Sequence, residues 1–314
     1  MTATTGRLDP DALAVARSLP QILPRPFHEL GVAGSRAVAG GLRPSGEPEP
    51  VHEVRAHEIP GRNGPVPIRL YRPRGGTGLP VVTYFHGGGW TVGSLDGVDA
   101  VCRAIANRSN CAVVSVDYRL APEHKYPIPL HDCADAVAYL ARHGRELGLD
   151  GSRIGVAGDS AGGNLAAAVA LLARDTASYE LACQVLVYPA TEFAVDRPSW
   201  RQHAGGPLIT TTDVLWFWGN YLRDERDRHD PLAVPAAAAS LAGLPRALVV
   251  TAAVDPLRDG GEAFAARLHA DGVEASASRY DGVFHGFFTE VGTFRATDSA
   301  VSEAARFLRD SLLS

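Results

Sequence analysis

The chain contains a single lysine, Lys125, so nearly all of its 30 basic residues are arginines. Together with the richness in alanine and glycine, this reads as genomic bias, not mechanism. Cysteine is also scarce. Cys102, Cys111, Cys133 and Cys183 show no C-x-x-C and no zinc-ligand spacing. Thiols in such apolar surroundings are expected to be buried and free, which excludes a disulfide framework and suits a reducing compartment. No stretch reaches the ~18 apolar residues that a membrane span needs. Residues 1–21 lack a continuous apolar run behind a basic start, so no secretory signal is expected. These absences point to a cytoplasmic protein without membrane insertion. There is no excess of positive charge: the net charge is −5, which gives no reason to expect nucleic acid or an anionic membrane as partner. There is no H-E-x-x-H and no Gly-Lys-Ser/Thr after a glycine run. Neither a metal nor a cofactor is expected.

What is present is enough for a large core. A 314-residue chain that is 46% hydrophobic can build one large α/β domain or two small ones. Asp9-Pro10 opens a helix, with Pro20 expected to stop it. A second helix is expected from Phe27 to Ala39, ending at Gly40-Gly41. Residues 42–50 then form a Pro/Gly-rich connector. Residues 51–59 and 65–72 read as a β-hairpin around Gly61-Arg62-Asn63-Gly64. From there strands alternate with helices. The strands are Leu79–Phe85, Ala112–Val116, the segment before Ser160, Cys183–Tyr188, Ala247–Ala252 and Val273–Tyr280. The helices are Asp99–Arg108, Pro129–Arg142, the one after Ser160, Gly261–Ala270 and Ser299–Leu313. This alternation implies a mostly parallel sheet with helices on both faces and an antiparallel hairpin at one edge. Residues 191–243 break the rhythm. They are too long for an ordinary crossover and include an aromatic helix, Thr212–Leu222, so a lid is expected there.

Residues 152–174, SRIGVAGDSAGGNLAAAVALLAR, carry the strongest local signal. An apolar strand, the turn Gly158-Asp159-Ser160-Ala161-Gly162-Gly163 and an Ala/Leu helix match the strand–turn–helix setting of a G-x-S-x-G nucleophile elbow. Such a turn lifts Ser160 above the sheet. Gly158 and Gly162 let strand and helix pass closely. The helix start aims free N–H groups at any oxyanion formed beside the serine.

A serine hydroxyl needs a base. Asp255 follows the strand Ala247–Ala252, and His285 follows the last strand, in the order Ser, Asp, His. Both sit at strand C-terminal ends, the edge where open α/β sheets bind ligands. Asp259 is the rival to Asp255 but should lie in a helix start. His86-Gly87-Gly88-Gly89-Trp90 follows Leu79–Phe85. The N–H groups of Gly87 and Gly88, with that of Ala161, are the expected oxyanion donors. His86 should brace this loop. Acyl-pocket candidates are Trp90, Phe193, Trp216 and Phe287.

With these residues assembled, the sequence resembles the hormone-sensitive lipase family of bacterial esterases, in the subgroup with aspartate before the serine. The matching motifs are HGGGW (86–90), VDYRLAPEHKYP (116–127), GDSAGGN (158–164), DPLRD (255–259) and HGF (285–287). The resemblance implies an α/β-hydrolase fold with an eight-stranded sheet. It implies a helical cap made from residues 1–50 and the insertion 191–243, over a catalytic domain split into 51–190 and 244–314. It implies a carboxylesterase that hydrolyses short to medium acyl esters through an acyl-enzyme. Its partner would be a small-molecule ester, and a homodimer through the last strand is compatible with it. An amidase or peptidase would use the same parts. A small-molecule receptor on the same fold is disfavoured by the presence of all three triad residues, and no amphipathic surface suggests a long-chain lipase. Three positions depart from the family pattern: Val98, Glu192 and Gly260.

Overall fold

The structure is a computed structural model, and it describes residues 8–41 and 48–313. Most of the expected connector, 42–47, lies outside the described residues. The elements run α1 (Pro10–Ile22), α2 (Phe27–Ala39), β1 (Glu53–Ile59), β2 (Val66–Arg72), β3 (Leu79–Phe85), α3 (Asp99–Ser109), β4 (Ala112–Val116) and α4 (Ile128–His143). Then come β5 (Leu149–Asp159), α5 (Ala161–Thr176), β6 (Cys183–Val187), α6 (Pro198–Gln202), α7 (Thr211–Tyr221), β7 (Arg246–Val254), α8 (Arg258–Ala270), β8 (Ala275–Phe284) and α9 (Arg295–Leu312).

The strands form one eight-stranded sheet in the order β1-β2-β4-β3-β5-β6-β7-β8. Strand β2 pairs antiparallel with β1 and β4, and the remaining pairs are parallel. Strands β3, β4 and β6 are buried along their whole length, as their unbroken apolar runs require. The edge strands β1 and β8 carry exposed polar positions. One apolar cluster packs α4, α5 and α8 on the sheet, through residues such as Leu140, Leu165 and Phe264. A second packs α3 and α9, through Val101, Ile105, Ala304 and Leu308. The expected mostly parallel α/β architecture is therefore present. All four thiols are buried and free.

Some expected boundaries move. Pro20 does not stop α1, which continues to Ile22. A proline in the last turn forfeits one backbone bond, and burial of Leu19 with the Leu23 N–H bond to the Leu19 carbonyl (2.7 Å) holds that turn. Strand β8 starts at Ala275 and runs on to Phe284, so it delivers His285 at its C-terminal end. Helix α8 begins at Arg258.

Between β6 and β7 lie α6, α7 and two short 3₁₀ turns; α2 packs against α7 of this insertion, and α1 packs against β8. The Phe27 ring sits 5.6 Å from that of Phe217. The His28 N–H donates to Asp213 Oδ1 at 2.9 Å, and His28 Nδ1 lies 2.7 Å from the same oxygen. Asp213 also closes a capping box with Thr210 at the start of α7. The single lysine caps the other end of that helix: Lys125 Nζ donates to the carbonyls of Gly219 (2.8 Å) and Leu222 (2.7 Å).

The insertion is tied to the sheet side by buried Asn164, whose Nδ2 donates to the Ala190 and Ala233 carbonyls, both at 2.9 Å. Asn164→Ala strands two buried acceptors, so a loss of about 2–4 kcal/mol in unfolding free energy is expected. Urea unfolding measures this directly, and an unchanged midpoint would show that the tie contributes nothing.

Candidate active site

The elbow forms because backbone approaches backbone. A Cβ at Gly162 would overlap the carbonyl oxygen of Phe85, and one at Gly158 would overlap the carbonyl of Gly162. Ser160 adopts φ 56°, ψ −116°, a left-handed conformation that costs a non-glycine residue about 1–3 kcal/mol. It is held there by its N–H bond to the Val187 carbonyl (2.8 Å) and by the Asn164 N–H donating to its own carbonyl (3.1 Å).

Three side chains from three strand ends meet at this turn. The hydroxyl of Ser160 lies 2.9 Å from His285 Nε2. His285 Nδ1 lies 2.7 Å from Asp255 Oδ2. A carboxylate only accepts, so Nδ1 carries the proton and Nε2 is left to accept from the serine. Asp255 is fully buried, and its other oxygen accepts the Leu257 N–H at 2.8 Å. The rival Asp259 lies within α8, as expected, and does different work. Its Oδ2 accepts the Ser199 N–H at 2.7 Å, anchoring α6 of the insertion.

The glycine loop requires a correction. The Gly87 N–H donates to Asp159 Oδ1 at 3.0 Å and so is engaged by the protein itself. Gly88 and Gly89 follow it with φ 111° and 56°, and no hydrogen bond of the described chain uses their N–H groups or that of Ala161. All three residues line one cavity with Ser160 and His285. His86 does brace the loop: its Nδ1 is 2.7 Å from the Gly87 carbonyl, and its ring stacks on Tyr118 at 4.3 Å.

The cavity measures about 200 Å³ and is mostly apolar. Of the four acyl-pocket candidates, only Trp90 lines it, stacked on Tyr221 with ring centroids 4.3 Å apart. Phe193 lies outside, edge-on to Trp218 at 5.9 Å and beneath the Arg228 guanidinium. Trp216 is half-buried with its ring 5.0 Å from that of Phe217 and does not reach the cavity, and Phe287 is buried in the core against Tyr188 and Tyr280. The walls come instead from Val214, Phe217 and Trp218 of α7, Leu208 and Ile209 before it, and Leu19 and Phe27 of the N-terminal helices. The spacing of Val214, Phe217, Trp218 and Tyr221 is that of one helix face, and it marks the inward side of α7 in the sequence itself.

Of the three departures, Val98 is buried and lines the cavity. Glu192 pairs with Arg197 at 2.8 Å. A Cβ at Gly260 would stand 2.8 Å from Glu192 Oε1, so the longer acid at 192 occupies the room that glycine leaves at 260.

Residues 82–289 match the sequence profile of the α/β-hydrolase fold family. The carboxylic ester hydrolase LipN of Mycobacterium tuberculosis is 44% identical over 241 residues, which are 75% of this chain and 64% of that protein. An arylesterase of Saccharolobus solfataricus is 41% identical over 248 residues, 79% of this chain and 81% of its own. A thermostable esterase from Pseudomonas putida superposes with a TM-score of 0.93 at 34% identity, covering 98% of both chains. The chain belongs to the hormone-sensitive lipase-like esterases of the α/β-hydrolase fold. As a member of that family it is a carboxylic ester hydrolase of the serine type. No helix among the described residues is long and apolar enough to cross a membrane.

Two expectations follow. Burial raises the Asp159 carboxyl to about 6, from an ordinary value of 3.8, against the lowering effect of the Tyr84 and Gly87 hydrogen bonds. A folded-state value above the unfolded one means that this group's stabilisation is complete below about 4 and is lost as pH rises through about 6. The stability difference between Asp159→Asn and wild type should therefore shift in the variant's favour by about 3 kcal/mol between pH ~4 and ~7, read by denaturant unfolding at each pH. A difference independent of pH contradicts the assignment. Separately, Phe217→Ala should raise KM for p-nitrophenyl hexanoate about tenfold, whereas Trp216→Ala should stay within about twofold.

Proposed function

We propose that this esterase works through Ser160 as nucleophile, His285 as general base and acid, and Asp255 as the group that orients the imidazole. The observation that supports this best is the continuous chain Asp255 Oδ2, His285 Nδ1, His285 Nε2, Ser160 Oγ, with links of 2.7 and 2.9 Å. The serine proton passes to His285 Nε2 as Oγ attacks the ester carbonyl. The imidazolium then forms against the Asp255 carboxylate and gives its proton to the leaving alcohol. Water repeats the sequence on the acyl-enzyme and releases the acid.

The oxyanion of each tetrahedral intermediate is assigned to the N–H groups of Gly88, Gly89 and Ala161. They border the same cavity as the hydroxyl and are not otherwise bonded within the described chain. Each such donor contributes roughly 3 kcal/mol in the transition state. Asp159 does not touch substrate in this scheme. It fixes Gly87 and, through the Tyr84 hydroxyl (2.8 Å), ties the glycine loop to β3.

Helices α1 and α2, with the insertion between β6 and β7, are proposed to form the cap. A cavity of about 200 Å³ roofed by Phe27, Phe217 and Trp218 suits short to medium acyl chains. Ester hydrolysis is preferred to amide hydrolysis because the relatives are named as ester hydrolases. A cytoplasmic location is part of the same proposal.

Purified protein should hydrolyse p-nitrophenyl butyrate and hexanoate, and matched anilides should be turned over far more slowly. Ser160→Ala should retain only the ~10³–10⁴-fold advantage over water that the hole and binding provide. Undiminished turnover by that variant would remove Ser160 from the mechanism.

A further inference from the structure

Among the polar residues that line the catalytic cavity, most are satisfied within the protein. The Ser94 hydroxyl accepts the Gly97 N–H (3.3 Å), and the Thr289 hydroxyl donates to the Gly286 carbonyl (3.1 Å). Asp159, Ser160 and His285 are engaged as described. Glu290 lines the same cavity, and no donor or cation of the described residues touches its carboxylate. Its backbone is fixed. The Glu290 N–H donates to the Phe287 carbonyl (3.2 Å), and its own carbonyl accepts the Thr293 N–H (3.0 Å), in the turn that follows His285. Burial alone pushes its carboxyl above the usual range, with no cation to bring it back.

A part-buried carboxylate held against apolar walls without a donor is costly. Asp255 already orients His285, so Glu290 is not needed for the imidazole. A single carboxylate is no metal site, and no cluster of metal-binding side chains occurs among the described residues. The remaining partner is the molecule that fills the cavity. Given the esterase reading, on which this rests, we propose that Glu290 accepts a hydrogen bond from a donor on the substrate, a hydroxyl or a protonated amine, carried at the end remote from the scissile carbonyl. The preferred substrates are then esters with one polar terminus, not plain alkyl esters.

The test uses two matched sets with the full-length protein. One set is ethyl hexanoate with its ω-hydroxy and ω-dimethylamino derivatives. The other is hexyl acetate with the same two derivatives on the alcohol. Acid release is followed at constant pH, and kcat/KM of each derivative is divided by that of its alkyl parent. In wild type, one set should show a ratio about tenfold above its value in Glu290→Leu. Glu290→Gln keeps an acceptor without charge, so it should retain the hydroxyl preference and lose the amine preference. Ratios that agree within about twofold between wild type and Glu290→Leu in both sets overturn the proposal. Wild-type turnover of the plain alkyl members tests the esterase reading by itself, so unchanged ratios alongside that turnover count against Glu290 alone.

Discussion

The site depends on one close passage of main chain over main chain, where α5 leaves the elbow against the end of β3. Strands β3 and β5 are neighbours, with Phe85 paired in register to Gly158. The chain therefore leaves both strands at the same edge of the sheet, at adjacent points. Gly162 crosses so near the Phe85 carbonyl that no side chain fits between them. This places the glycine loop and Ser160 side by side, and the Asp159 carboxylate bonds to the Gly87 N–H between them. It also accounts for the Ser160 backbone. A strained residue persists only where its surroundings over-determine it, and the Val187 and Asn164 hydrogen bonds supply that constraint from β6 and α5. The neighbouring strand ends then add the remaining parts, Asp255 from β7 and His285 from β8, in the spatial order that the parallel pairing dictates.

Much of this was legible in the sequence because it is local. Strands β3 and β4 have the bounds expected from sequence, Leu79–Phe85 and Ala112–Val116, because each is a mostly apolar run that ends at a polar residue, His86 or Asp117. The elbow needs only its own six residues, and chain order together with position at strand ends points to Asp255 and His285. What was not legible is direction. Phe193, Trp216 and Phe287 stand out as aromatic, but residue type does not say which way a ring faces. Phe287 turns into the core beside Tyr188, while Phe217, one position from Trp216, faces the cavity. The engagement of Gly87 was equally hidden. It depends on Asp159, 72 residues away in sequence, presenting an oxygen to that N–H. Glu290 gives no local sign at all, because only the fold reveals that no described partner meets it.

The roof shows how compensation works where a family pattern is left behind. Glu192 reaches one methylene further than aspartate, and its carboxylate pairs with Arg197 close above Gly260. An acid at 260 would compete for this space and bring a second negative charge beside the first. The two departures are consistent as a pair, because the space left by glycine at 260 is the space the Glu192 side chain takes. Nearby, Asp259 holds α6 by its backbone, so the DPLRD segment serves both the triad, through Asp255, and the insertion above it. In the proposed scheme, cap and triad are therefore linked through this one segment.

Three acids lie around the cavity or the imidazole, and their different surroundings assign them different tasks. Asp255 faces Nδ1 of His285 and accepts the Leu257 N–H, so both of its oxygens are met within the protein. Asp159 is buried among donors of its own, the Tyr84 hydroxyl and the Gly87 N–H, and desolvation outweighs them enough to raise it to about 6. Glu290 has burial without donors. The imidazolium formed during turnover would be attracted to all three charges, but only Asp255 lies in hydrogen-bond contact with it, so the other two cannot fix its ring. Separation of roles follows from which donors each carboxylate has already met. The one with none is left to the substrate.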